Sequence, residues 1–120
     1  MVKDRKDYVA FTKSIGSVLA LKNIFEKTLN PKKLVICGYP YRAAKDENLP
    51  IDEYLKSLTV PTMFIQNEFD PVYSFEELEE TLKENSPTNY QLVKNMGNNT
   101  HDYDNCEKLA LITREFFETN

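Results

Sequence analysis

The stretch Pro31-Lys32-Lys33-Leu34-Val35-Ile36-Cys37-Gly38 decides the fold. Four consecutive apolar residues, Leu34 to Cys37, stand between a proline break and a glycine break. The run suits a strand buried on both faces, as in a parallel sheet covered by helices. A four-helix bundle is the competing architecture, and the run between its proline and glycine breaks favours the strand.

Working outward, the chain alternates strand and helix. Tyr8 to Phe11 read as a short strand and Ile15 to Leu29 as a helix, with Ile15, Val18, Leu19, Leu21, Ile24 and Phe25 forming its apolar face. Asn30-Pro31 ends it. A looser region covers Tyr39 to Leu49, and Pro50 opens a short helix that places Ile51, Tyr54, Leu55 and Leu58 on one side. Val60 to Gln66 form the third strand, and a turn covers Asn67 to Tyr73. Ser74-Phe75-Glu76-Glu77 is a capping box for a helix through about Lys83. Tyr90 to Val93 give the last strand, Asn95 to Asp102 a polar loop, and Asp104 to Phe117 a final helix. Four strand–helix units at this spacing predict one α/β domain over residues 1–120, with a four-stranded, mainly parallel sheet and flanking helices.

Composition narrows the function classes. The net charge is −4 and basic residues are interspersed with acidic ones, which disfavours a nucleic-acid partner. No segment has the length and apolarity of a membrane span, and the charged start Met1-Val2-Lys3-Asp4-Arg5-Lys6 does not resemble a signal peptide. A cytoplasmic location is the default expectation. Cys37 and Cys106 read as buried thiols acting as small hydrophobes. No ligand spacing indicates a metal, and no glycine-rich loop indicates a phosphate cofactor, so none is expected.

Chemistry concentrates at the strand ends. Thr12-Lys13-Ser14-Ile15-Gly16-Ser17 lies between a strand and a helix, the setting of a nucleophile elbow, and its small residues Gly16 and Ser17 let the helix start close under the turn. Asp70 follows the third strand and His101 the fourth, so a serine, an acid and a histidine meet at the carboxyl edge of the sheet. In such a constellation His101 takes the Ser14 proton during attack on a carbonyl and later returns it to the leaving group. Asp70 orients the imidazole, and the Ile15 N–H stabilises the oxyanion. Each residue also has an ordinary reading: Ser14 as a helix N-cap, Asp70 as a turn initiator before Pro71, and His101 as a solvent-facing loop residue. Lys13 reads as a substrate-binding candidate or an exposed cation that Glu68 could pair. Tyr39 and Tyr41 read as substrate-pocket walls or as packing.

Three segments carry a family resemblance. Lys13-Ser14-Ile15-Gly16-Ser17, Gly38-Tyr39-Pro40-Tyr41 and Val60 to Val72 (V-P-T-M-F-I-Q-N-E-F-D-P-V) resemble segments of the α/β-hydrolase superfamily. Within it they are similar to dienelactone-hydrolase-like proteins with a G-K-S-[IL]-G elbow. The likeness spans nearly the whole chain but only the C-terminal half of that fold. It implies that Asp70 is the triad acid and that His101, followed by Asp102-Tyr103, is the catalytic histidine. Thr12 and Asn67 stand where that pattern has glycine. The first four strands, and with them the usual second oxyanion donor, have no counterpart.

These readings predict a serine hydrolase of a small ester or related acyl compound. The alternatives are a noncatalytic remnant acting as an interaction or regulatory module, and acyl transfer. The exposed edge of the first strand predicts a homodimer or a separate N-terminal half as partner.

Overall fold

The computed structural model describes residues 9–87 and 89–103. Its elements run β1 (Val9–Lys13), α1 (Ile15–Phe25), β2 (Lys33–Cys37), α2 (Tyr41–Asp46), α3 (Ile51–Lys56), β3 (Thr62–Asn67), α4 (Phe75–Asn85) and β4 (Tyr90–Asn95). The strands form one parallel sheet in the order β1-β2-β3-β4. Every residue of β2 and β3 is buried, as the unbroken apolar run of β2 requires.

Side-chain alternation splits the core in two. Leu34, Ile36 and Phe64 point to the face covered by α1 to α4, where they meet Val18, Leu21, Tyr54, Leu55, Leu78 and Leu82. Val35, Cys37, Met63 and Ile65 point to the opposite face and pack with Tyr103. The helix expected over Asp104 to Phe117, the residue Cys106 and the Tyr8 end of the first strand lie outside the described residues.

Several boundaries differ from the expectations, each for a local reason. The first helix stops at Phe25, four residues before Leu29. Lys27 takes a left-handed conformation (φ 65°), its N–H donates to the Ile24 carbonyl, and the Thr28 N–H donates to the Asn23 carbonyl. This is a Schellman stop with lysine where glycine is usual, so no glycine marks it. Within the region read as loose, Tyr41–Asp46 is helical. Only Ala44 of that helix is buried, so no apolar period announced it.

The second helical expectation holds more closely. Pro50 leads into α3, and Ile51, Tyr54, Leu55 and Leu58 are all buried. The capping box at α4 is also present: Ser74 Oγ accepts the Glu77 N–H, and the Glu77 carboxylate accepts the Ser74 N–H. Cys37 is buried as expected but is disulfide-bonded, which corrects its reading as a thiol. No helix among the described residues is long and apolar enough to cross a membrane.

Candidate active site

The parallel sheet delivers β1, β3 and β4 to one edge, and the three chemical side chains sit just beyond it. Ser14 occupies the single position between β1 and α1. Its backbone is strained, at φ 49° and ψ −127°, a region that costs a non-glycine residue of order 1–3 kcal/mol. Two hydrogen bonds hold it there. The Ser14 N–H donates to the Cys37 carbonyl at 2.8 Å, carrying the β1–β2 pairing up to the turn, and the Ser17 N–H donates to the Ser14 carbonyl at 2.9 Å.

The Ser14 side chain does not cap α1. Its Oγ lies 2.8 Å from His101 Nε2. On the other side of the ring, His101 Nδ1 lies 2.7 Å from Asp70 Oδ2. A carboxylate oxygen accepts, so Nδ1 carries the proton, Nε2 is the acceptor and the serine hydroxyl donates to it. The Asp70 side chain is fully buried and the His101 side chain is 24% exposed, so the base reaches solvent while its partner does not.

Asp70 fills both of its readings, one with each oxygen. Oδ1 accepts the Val72 N–H at 2.8 Å and the Tyr73 N–H at 3.4 Å, a side-chain turn across Pro71. Oδ2 accepts from His101 Nδ1 and, at 2.7 Å, from the Tyr103 hydroxyl. The turn thus aims the second oxygen at the histidine.

Two residues that depart from glycine in the resembling segments have structural roles. Thr12 Oγ1 donates to the Val35 carbonyl at 2.9 Å and lies 3.0 Å from Ser17 Oγ, tying β1, β2 and the first turn of α1 together beneath Ser14. Asn67 needs no unusual backbone angle. Its amide Nδ2 donates to the Thr100 carbonyl at 2.9 Å and the Asp102 carbonyl at 3.2 Å, and its Oδ1 accepts from Asn95 Nδ2 at 2.7 Å. A buried side chain on β3 therefore clamps both neighbours of His101.

The small residues after Ser14 divide unequally. Ser17 is fully buried, whereas a Cβ on Gly16 would meet nothing within 4 Å. Close approach of the helix therefore depends on Ser17, which corrects the expectation for Gly16. Among the described residues, the backbone N–H groups of Ile15 and Gly16 have no protein acceptor, and they begin α1 beside Ser14.

The remaining candidates lie elsewhere in function or place. Lys13 ends β1 as an exposed side chain, and Glu68 accepts the Gly97 N–H at 2.9 Å. Tyr39 is fully buried with its ring edge-on to Phe64 at 5.9 Å, a core position rather than a pocket wall. Burial, with the Asp52 charge adding to it, pushes its phenol ionisation well up. Tyr41 donates to Asp52 Oδ1 at 2.7 Å, and Lys45 Nζ meets Tyr41 and Asp52 in the same cluster between α2 and α3.

A cavity of about 460 Å³ is lined by Phe25, Leu29, Tyr54, Leu58 and Val60, at the C-terminal end of α1, and includes none of Ser14, Asp70 or His101. No cluster of three or more His, Cys, Asp and Glu side chains suited to a metal occurs among the described residues. No family model, curated protein or solved structure matches the chain.

Proposed function

We propose that the chain is a serine hydrolase of the α/β-hydrolase type, acting on a small ester or related acyl substrate. The observation that carries this reading is the conformation of Ser14. It holds a strained backbone, forgoes capping its own helix, and hydrogen-bonds at 2.8 Å to a histidine anchored on a buried acid. A serine serving only as an N-cap has no reason to adopt φ 49°.

In this reading Ser14 Oγ attacks the acyl carbon while its proton passes to His101 Nε2. The carbonyl oxygen becomes an oxyanion beside the Ile15 N–H. Collapse expels the alcohol, which takes the proton from Nε2 and leaves an acyl-serine. Water then attacks that ester, gives its proton to Nε2, and the acid departs as Ser14 Oγ recovers the proton. Asp70 stays hydrogen-bonded to Nδ1 throughout.

The four strands correspond in this reading to the C-terminal half of the hydrolase sheet. β1 is an edge strand, and Ile15 and Leu19 on the adjoining α1 are 57% and 56% exposed. These features support association with a second copy or with an N-terminal half. They equally favour the second reading, a noncatalytic interaction module. The disulfide at Cys37 fits an oxidising compartment better than the cytoplasm.

A fluorophosphonate probe separates the two readings. Stoichiometric labelling located at Ser14, and lost in Ser14→Ala and His101→Ala, is the expected result. A folded protein that takes no label would sink the hydrolase reading and leave the interaction module.

A further inference from the structure

Tyr103 meets both the acid and the histidine of the site. It is buried, and its hydroxyl lies 2.7 Å from the Asn67 N–H, which donates to it, and 2.7 Å from Asp70 Oδ2, to which it donates. That oxygen is the one that also accepts from His101 Nδ1. The Tyr103 ring stands edge-on to the His101 ring, with centroids 5.6 Å apart and planes at 80°. It also fills the space over Gly38, directly after the residue whose carbonyl anchors Ser14.

We propose that Tyr103 is a positioning residue, which locks the rotation of the Asp70 carboxylate so that Oδ2 faces His101 Nδ1. The proposal rests on the hydrolase reading above and adds a fourth side chain to it. Rotation of a carboxylate about its last bond has a broad, shallow profile, so its orientation comes from its partners. The turn after β3 holds Oδ1 by two N–H groups. Oδ2 is held by His101, the group it must direct, and by Tyr103, which is itself tied to the β3 backbone. Tyr103 is thus the fixed reference for that oxygen. Burial first, and the neighbouring Asp70 in addition, push the phenol ionisation far above its ordinary range, so the hydroxyl keeps the proton it donates.

Tyr103→Phe removes the oxygen and retains the ring. The test compares fluorophosphonate labelling of wild type and Tyr103→Phe over a range of probe concentrations, each also in an Asp70→Ala background. Labelling at saturating probe is expected to slow about tenfold with the half-saturating concentration unchanged. In the Asp70→Ala background the same change is expected to have no further effect, because the carboxylate it orients is gone. An equal loss in both backgrounds means a packing role and overturns the proposal, as does labelling at the wild-type rate. Absence of labelling in wild type overturns the hydrolase reading, and this proposal with it.

His101 is the sole histidine, so its ring protons are assigned without ambiguity. If Tyr103→Phe does not fold, NMR of wild type and Asp70→Asn decides the matter. The His101 Nδ1–H and Tyr103 hydroxyl resonances are expected to shift together on that substitution. A shift confined to the histidine signal overturns the shared contact.

Discussion

A Cβ placed on Gly38 would lie 2.4 Å from Cε1 of Tyr103. Gly38 also has φ 68°, so both the space and the backbone angle demand glycine at the end of β2. Gly38→Ala is expected to destabilise the protein by about 2–4 kcal/mol, through overpacking and backbone strain together. Urea unfolding measures this. A loss below about 1 kcal/mol would show that the Tyr103 ring yields easily and is no fixed reference.

Asn67 gives the clearest separation of scaffold from chemistry. Asn67→Ala frees the Thr100 and Asp102 carbonyls from the clamp while leaving the triad atoms in the chain. Hydrogen exchange of the 98–103 segment is expected to accelerate, with a loss of about 1–3 kcal/mol in global stability. Unchanged exchange there would mean that the bonds the substitution leaves in place, from the Phe69 N–H to the Asn98 carbonyl, from the Asn67 N–H to Tyr103 and between Asp70 and both His101 and Tyr103, hold the histidine loop without the clamp.

Thr12→Gly removes the hydrogen bonds to Val35 and Ser17 while leaving the β1–α1 turn otherwise unchanged in sequence. Stability is expected to fall by roughly 1–2 kcal/mol, from lost hydrogen bonding and the greater freedom of glycine in a strand. A thermal melt comparing Thr12→Gly with the near-isosteric Thr12→Val separates the two contributions. A rise in stability for Thr12→Gly would show that threonine crowds the turn.

The α4 cap is a control outside the Ser14–His101–Asp70 hydrogen bonds. The Ser74 N–H, ahead of the Arg42 charge, holds the Glu77 carboxyl below its usual range, and Ser74 Oγ caps Glu77 in return. Ser74→Ala is expected to cost about 1 kcal/mol in unfolding free energy. Probe labelling of Ser14 should stay at the wild-type rate; a large loss there would mean that α4 positions Asp70.

Alkaline pH tests the buried phenols. Burial is the leading cause that raises the ionisation of Tyr39, Tyr73 and Tyr103 above the ordinary tyrosine value. The unfolded chain therefore releases these protons first as pH rises. The stabilisation they provide is complete below about pH 10 and declines above it, by at most about 1.4 kcal/mol per pH unit for each. The urea midpoint, followed from pH 8 to 11, is expected to drop, and to drop less steeply in Tyr103→Phe. A flat midpoint would count against burial of these hydroxyls.

The placement of Ser14, Asp70 and His101 was legible because a parallel sheet sends successive strand ends to one edge. Once the run of Leu34 to Cys37 identified that sheet, the order of the chain placed the three residues together. Tyr103 was not legible as a member of the site. A tyrosine two residues past a histidine carries no period or spacing, and its role depends on an acid 33 residues earlier in the chain. The role of Asn67 was not legible for a related reason. In the sequence it only stands where the resembling pattern has glycine, yet its side chain reaches carbonyls 33 and 35 residues away.

The sequence by itself determined the order of the four strands and of helices α1, α3 and α4, the buried central strands, the α4 cap and the three residues of the candidate triad. Those depend on local patterns of burial, capping and chain direction, which a linear reading contains. Only the tertiary structure decided that Ser14 is strained rather than capping, that Asp70 serves a turn and a histidine with different oxygens, and that Tyr39 belongs to the core. It also decided the Asn67 clamp and the Tyr103 contact. Each depends on where a side chain's last few atoms lie, and hydrogen-bond geometry across distant segments exists only after the sheet has brought them within about 3 Å.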